Sequence, residues 1–335
     1  MDVVFFTEGS HEMGMGHITR CQAVGQAFEE QGFRPRFYIR GNFNFNKYKL
    51  PFTMEKMDWI SNVQSILPTL DNHSVSLIDS YYAGPEIYES IREKSLVSAY
   101  FDDTHRLNYP SGIVINGAAI NSNLTDQKSD KKYLLGIKYQ SIRKEFWDIP
   151  VKKINSKVEK LLIMFGGTDI RNLTPRIVAI LNQINQNLNK HIIIGPGTNK
   201  RILEDIELQN TRLYFSPSVK QLKDLMLYCD VAISGAGQSL FELARTGTPT
   251  LAVEIIDNQS DIITFLEKKR FLINLGKWGK VDKDVLLKGM LEISSQKTRI
   301  SMSDSGRKLM DGQGPRRIVN FILDLIKQNG SNKGF

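Results

Sequence analysis

The chain is poor in cysteine, with Cys21 and Cys229 the only two among 335 residues. They stand far apart on core-facing positions, which excludes a disulfide scaffold. Both read as reduced packing residues in a cytoplasmic protein. No stretch approaches the twenty apolar residues of a membrane span, so stable membrane insertion is not expected. No basic segment followed by an apolar one marks the N-terminus as a secretory signal. No short-period repeat occurs. Basic residues outnumber acidic ones, 44 to 36, for a net charge of +8. They are scattered, as in Lys152-Lys153 and Lys268-Lys269-Arg270, and no basic stripe interleaved with aromatics appears. That argues against nucleic acid as a partner. A solvated surface accounts for the excess, with mild attraction of an anionic small substrate or an anionic membrane surface as the functional alternatives. Nothing in the sequence encodes an oligomeric state.

What is present is an ordinary globular composition, 41% hydrophobic and 24% charged, at a length that favours two domains. The first half alternates apolar runs with amphipathic segments. Strands are expected at 2–7, 35–40, 75–79, 96–101 and 112–116, and helices at 16–31, 57–70 and 84–95. The Asn- and aromatic-rich stretch 41–56 reads as a loop. Around 148–158, Pro150 and the neighbouring charges suggest an interdomain linker. A second series then begins, with strands at 160–165, 190–194, 212–215, 230–234, 249–254 and 271–275. Its helices are expected at 175–187, 199–207, 218–228, 237–246, 259–268, 282–295 and 314–328. Thr174-Pro175 reads as an N-cap followed by Pro at the first helical position. The pattern is α/β: two Rossmann-like parallel-sheet domains, 1–150 and 151–330, facing a central cleft. In such sheets ligands sit beyond the carboxyl ends of the strands, so the residues just after each strand carry the chemistry.

The most informative of these turns is Gly9-Ser10-His11-Glu12-Met13-Gly14-Met15-Gly16-His17-Ile18-Thr19-Arg20-Cys21. It follows Val3-Val4-Phe5-Phe6 and leads into a helix with Ile18, Cys21, Val24 and Phe28 on one face. A glycine-rich turn at a helix N-terminus is an anion site. The partial positive charge there favours a neutral imidazole on His17, and a neutral imidazole beside a phosphate can serve as a general base. Other readings fail on detail. Thr19 stands where a Rossmann fingerprint needs its third glycine, Met15-Gly16 replaces the Lys-Ser/Thr of a Walker A loop, and Met15 breaks a His-Glu-x-x-His motif. A tight turn with a merely packed His17 remains the plain alternative.

Further turns point the same way. Asp79-Ser80-Tyr81-Tyr82 and Asp102-Asp103-Thr104-His105-Arg106 follow strands of the first half. Asp102 and Asp103 lack a nearby third ligand for a metal, and Asp282-Lys283-Asp284 reads as a helix N-terminus. His73, His105 and His191 read as surface or local structural residues. In the second half, Gly166-Gly167-Thr168-Asp169 with Asn172, Gly235-Ala236-Gly237-Gln238-Ser239 with Glu242, and Asp257-Asn258-Gln259 follow successive strands. Glu242, one turn into its helix, can accept from both ribose hydroxyls. Together, on successive strands of one sheet, they predict a nucleotide-diphosphate site, with turn chemistry alone as the plain alternative for each.

Taken in order, Gly14-x-Gly16-His17-x-x-Arg20, Ile78-Asp79-x-Tyr81, Phe101-Asp102-Asp103, Ile142-Arg143-x-Glu145-Phe146 and Gly166-Gly167-Thr168-Asp169-x-x-Asn172 resemble a known family. It is that of the UDP-2,4-diacetamido-2,4,6-trideoxy-β-L-altropyranose hydrolases of pseudaminic acid biosynthesis, with related spore-coat polysaccharide proteins. The resemblance runs over about residues 1–275 and implies the GT-B fold of MurG-like glycosyltransferases. It implies that His17 activates water against the anomeric carbon of a UDP-sugar and that Tyr81 orients water or sugar. Gly14, Gly16, Arg20, Asp79, Asp102 and Arg143 would then line the substrate. Gly166, Gly167, Thr168, Asn172, Gly237, Gln238, Ser239, Glu242, Asn258 and Gln259 would bind the nucleotide. The resemblance implies neither a metal nor a cofactor. The run from Ser234 to Pro249 looks closer to MurG-like transferases, which keeps an inverting glycosyltransferase in view, and Phe43–Lys49 is a candidate membrane-facing segment for it. A silent nucleotide-sugar binder and a UDP-sugar 2-epimerase are further alternatives. The intact His17 and Tyr81 argue against the first, and the scarcity of carboxylates argues against the second.

Overall fold

The computed structural model describes the chain except for residues 11–13, 43–51, 119–129, 186, 200–203, 205–207, 257–258 and 332–335. It divides into two compact units, Met1–Lys144 with Gly312–Phe335, and Glu145–Asp311.

The first unit is built on seven strands, β1 (Val3–Glu8), β2 (Arg36–Arg40), β3 (Thr53–Lys56), β4 (Val75–Asp79), β5 (Val97–Phe101), β6 (Ile113–Asn116) and β7 (Lys132–Leu135). All pairings are parallel, in the order β3-β2-β1-β4-β5-β6-β7. Its helices are α1 (Gly16–Glu30), α2 (Val63–Ile66) and α3 (Pro85–Glu93). β1 is buried along its whole length, as a central parallel strand covered on both faces must be. Its side chains alternate between two cores. Val4 and Phe6 join Tyr38, Trp59, Ile78 and Tyr100 on one face. On the other, Phe5 stacks on Phe37 at 4.5 Å and meets Phe28 of α1 edge-on. The strand order reverses between β1 and β4, and the crevice above that reversal is where such sheets take ligands.

The second unit repeats the plan. Its strands are β8 (Lys160–Met164), β9 (Asn189–Ile194), β10 (Thr211–Phe215), β11 (Val231–Gly235), β12 (Thr250–Glu254) and β13 (Leu272–Lys277). They form a parallel sheet in the order β10-β9-β8-β11-β12-β13, reversing between β8 and β11. Around it stand α4 (Leu173–Ile184), α5 (Val219–Tyr228), α6 (Ser239–Thr246), α7 (Ser260–Lys268), α8 (Lys283–Ser294) and α9 (Gln296–Leu309).

Several features differ from the sequence expectation: α9 and the edge strands β3 and β7 are not among the expected elements, and β3 falls inside the stretch 41–56 read as a loop. The last helix, α10 (Gly314–Ser331), groups with the first unit rather than the second and packs against α1. Arg316 seals it there with a two-pronged ion pair to Glu30. The segment 148–158 is not a free linker. Its carbonyls are held by cations of the second unit: Arg307 takes Pro150, and Arg299 takes Asn155 and Ser156. Lys152 in turn donates to the carbonyls of Met226, Leu227 and Cys229 at the end of α5. Irregular backbone near the core is tolerable when its polar groups are paired in this way. The helix expected at 57–70 shrinks to α2 and a 3-10 turn carrying Pro68 near its start. Finally, α4 begins at Leu173, before Thr174-Pro175. Its cap is Asn172 in a left-handed conformation, and the Asp169 carboxylate accepts the N–H groups of Leu173 and Thr174 at 2.9 Å. The helix at 199–207 and the candidate membrane-facing segment lie largely outside the described residues. Asp282 does cap α8, accepting from the Val285 N–H.

Candidate active site

The first unit gathers its polar side chains at the carboxyl ends of β1, β2, β4 and β5. Glu8, Arg40, Asp79 and Asp102 each end a strand or follow it directly, and the pairing register sets Glu8 beside Arg40 and Thr7 beside Asp79. After β1, Ser10 and Gly14 are joined by a bridge, and α1 begins at Gly16. Gly41 runs so close to Gly9 that a Cβ there would fall on the Gly9 carbonyl, which ties this turn to the end of β2. Met15 at the N-cap supplies no side-chain hydrogen bond and no acidic residue sits in the first turn of α1. Gly14 and Gly16 have open space where a Cβ would stand.

His17, on the first turn of α1, is buried and places Nδ1 2.5 Å from Asp79 Oδ1. Arg20, one turn on, closes over Asp79 with Nε on Oδ2 and Nη2 on Oδ1, both at 2.5 Å. Its Nη1 donates to Asp103, and its guanidinium lies over the Phe101 ring. Burial works against a charge on Asp79, but Arg20 and His17 outweigh it and hold the carboxyl well below the usual range. Arg20 is pushed up by its two carboxylates against the opposing effect of burial. A short N···O contact to an ionised carboxylate requires a proton on the nitrogen, so Nδ1 donates to Asp79 and Nε2 is the ring nitrogen left for other partners.

Tyr81 stands edge-on to the His17 ring, with centroids 4.4 Å apart, and remains 40% exposed. Burial, then the nearby Asp103, raises its phenol above the ordinary value, so the hydroxyl stays a donor. The turn carrying it is tied to Glu8, which sequence reasoning missed. Arg106, also missed as a site-building residue, spans the Ser80 and Ala83 carbonyls from the neighbouring loop.

Two residues expected to contact substrate have their polar atoms engaged by protein partners. Asp79 has no exposed surface, and its oxygens are taken by His17, Arg20 and the Cys21 thiol. Arg20 spends its fork on Asp79 and Asp103. Both are therefore bound to each other and lie against His17. Asp102 caps its own loop, accepting from the N–H groups of Thr104 and Arg106, with His105 3.7 Å away. Arg143 lies half-buried just before the unit boundary. His73 sits exposed in a turn with Asp71, and His191 bonds Tyr214.

In the second unit, Gly166, Gly167 and Thr168 follow β8, while Gly237, Gln238 and Ser239 link β11 to α6. These two turns flank the reversal between β8 and β11. A Cβ at Gly166, Gly167 or Gly237 would meet nothing within 4 Å. The loop after β9 locks onto the first turn, with the Gly197 N–H on the Gly167 carbonyl. Glu242 is fully buried in the first turn of α6. Its enclosure leaves no surface for a ribose in this state. Asn172 serves as the α4 cap, and Gln259 spends its side-chain carbonyl on the N–H groups of Ile255 and Ile256. Asn258 lies outside the described residues. Among the described residues no group of three or more His, Cys, Asp or Glu is arranged to hold a metal ion, and no helix is long and apolar enough to cross a membrane.

Solved structures of similar shape cover nearly the whole chain. MurG of Acinetobacter baumannii superposes with a TM-score of 0.66 at 13% identity, over 97% of this chain and all of that one. Spinosyn forosaminyltransferase SpnP gives 0.66 at 12% identity, over 98% and 99%. The fold is GT-B. No family model matches the GT-B chain. It is similar, at 27% identity over 85% of its length, to the Helicobacter pylori protein named pseudaminic acid cytidylyltransferase and UDP-2,4-diacetamido-2,4,6-trideoxy-β-L-altropyranose hydrolase. It is 24% identical over 76% of its length to an uncharacterized Methanocaldococcus jannaschii protein. The GT-B chain spans 49% and 55% of these two. It spans 99% of the spore coat polysaccharide biosynthesis protein SpsG of Bacillus subtilis, at 23% identity over 98% of its own length.

Proposed function

We propose that this protein is a metal-independent nucleotide-sugar hydrolase that releases UDP and a free diacetamido-trideoxy hexose. The setting would be cytoplasmic synthesis of a nonulosonic acid or surface polysaccharide. The observation that carries the reading is the His17–Asp79 pair at the N-terminus of α1, beside the strand-order reversal. Asp79 holds the Nδ1 proton, which leaves Nε2 to take a proton from water. The water oxygen bonds to the anomeric carbon as the bond from that carbon to the phosphate oxygen breaks. UDP leaves with the electron pair and the configuration inverts. Tyr81, its phenol protonated, donates to the water or sugar. The open turns at Gly166–Thr168 and Gly237–Ser239 offer backbone N–H groups to the diphosphate, where leaving-group charge develops. The name of the Helicobacter relative supports both uridine and the sugar.

The second reading is an inverting glycosyltransferase, favoured by the similarity in fold to MurG and SpnP. There the same base would serve a sugar hydroxyl instead of water. The test is UDP release from a panel of UDP-sugars that includes the diacetamido-trideoxy sugar, with EDTA present and no acceptor. Stoichiometric release of UDP and free sugar establishes the hydrolase. Tight binding with only a trickle of release refutes it in favour of the transferase.

A further inference from the structure

Glu8 is a fully buried carboxylate on the last residue of β1, and the chemistry proposed above does not use it. Its Oε1 accepts the Tyr81 backbone N–H at 2.6 Å, and its Oε2 accepts the Ser80 hydroxyl at 2.9 Å. The Ser80 oxygen then accepts the N–H groups of Tyr82 and Ala83, each at 3.0 Å. One carboxylate thus gathers the donors of the whole turn after β4. Arg40 Nη1, 3.8 Å from Oε2, supplies the counter-charge and is itself held by Asp58 and by the Tyr82 ring. Without Glu8, two donors of this turn lose their acceptor in a closed environment, and the turn must move to recover hydrogen bonds. The ring that moves with it is Tyr81, 4.4 Å from His17.

We propose that Glu8 is a positioning residue that sets the Tyr81 ring against His17, which rests on the reading of His17 and Tyr81 as the reacting pair. The demand is for reach rather than charge. Glu8→Gln keeps the side-chain length and one acceptor for the Tyr81 N–H, whereas Glu8→Asp keeps the charge but withdraws it by one methylene.

The experiment measures hydrolysis of UDP-2,4-diacetamido-2,4,6-trideoxy-β-L-altropyranose by wild type, Glu8→Gln, Glu8→Asp, Ser80→Ala and Tyr81→Ala, with melting temperature and UDP affinity alongside. Glu8→Asp is expected to lower kcat by about 10- to 100-fold with KM little changed, the penalty of a small misplacement near a reacting group. Glu8→Gln is expected to lose less, and neither change adds to the loss in a Tyr81→Ala background. Asp outperforming Gln, losses that multiply with Tyr81→Ala, or a rise in KM alone would each overturn the proposal. If the Glu8 variants do not fold, Ser80→Ala decides. It removes the hydroxyl that joins Glu8 to the turn, and an unchanged kcat refutes the positioning role. If wild type releases no UDP from this sugar, the hydrolase reading fails by itself. Glu8 is then judged by hydrogen exchange at the Tyr81 amide, slow in wild type and fast in Glu8→Asp, with equal rates refuting the inference.

Discussion

His17 Nδ1 and Asp79 Oδ1 meet at 2.5 Å across 62 positions of chain. Arg20 holds both oxygens of the same carboxylate, so Asp79 stays ionised and presents an acceptor to Nδ1. Asp79→Asn presents an amide that accepts or donates at that position and frees the ring to protonate at Nε2. It is expected to lower kcat roughly 100- to 10,000-fold, the range of a lost general base. Steady-state kinetics with a UDP-sugar checks this, and near-normal turnover would show that Asp79 has no part in the reaction.

The same carboxylate makes a prediction about acid. Its folded-state pKa lies below the ordinary value near ~4. A depressed carboxylate stabilises the fold above its unfolded pKa and loses that contribution as pH falls toward its folded one. Removing one partner of a buried pair costs about 3–5 kcal/mol at neutral pH. The stability gap between wild type and Asp79→Asn is therefore expected to be large at pH 7 and to narrow below about pH 4. Urea unfolding at several pH values measures it, and a constant gap would show that Asp79 titrates normally.

His17→Ala separates chemistry from binding. The histidine belongs to the first unit, whereas the open glycine turns assigned to UDP belong to the second. Turnover is expected to disappear while UDP affinity, read by calorimetry, stays within about twofold of wild type, a change well below 1.4 kcal/mol. Parallel loss of both would make His17 a structural residue of the α1 turn.

Much of this site is legible in the sequence because parallel strands announce themselves. Val3-Val4-Phe5-Phe6 is a continuous apolar run and Val75–Ile78 is broken only by Ser76; the helix after the first opens with His17, and Asp79 closes the strand of the second. A pattern of residues along a chain, however, does not say that two of them touch. Asp79 and Arg20 therefore read as ligands of the substrate when they are ligands of His17 and of each other. Glu8 is hidden because it closes an apolar strand, where a polar residue looks like the start of a loop. The edge strands Thr53–Lys56 and Lys132–Leu135 escape notice because they are only four residues long and partly exposed. The return of α10 is hidden because α1 reads as having one apolar face. Its burial, from Ala23 through Phe28, extends well beyond that face, and α10 covers part of it.

The glycines offer the sharpest separation of function from stability. Gly16 opens α1 with an ordinary negative φ, and a Cβ there meets nothing within 4 Å. Gly237, before α6, is the same in both respects. Protein packing therefore does not require glycine at either position, and alanine lowers the entropy of the unfolded chain, worth about 0.4–1 kcal/mol where the backbone is compatible. Gly16→Ala and Gly237→Ala are expected to melt at or slightly above the wild-type temperature. If ligand backbone contacts fill that open space, each methyl group stands where the ligand must come. Gly237→Ala should then weaken UDP binding by tenfold or more, about 1.4 kcal/mol, while Gly16→Ala should spare UDP and lower kcat/KM for the UDP-sugar. Calorimetry with UDP and initial-rate kinetics distinguish the two. Variants that bind and turn over normally would show that neither turn approaches the ligand, and would move the diphosphate and the sugar elsewhere along the strand ends.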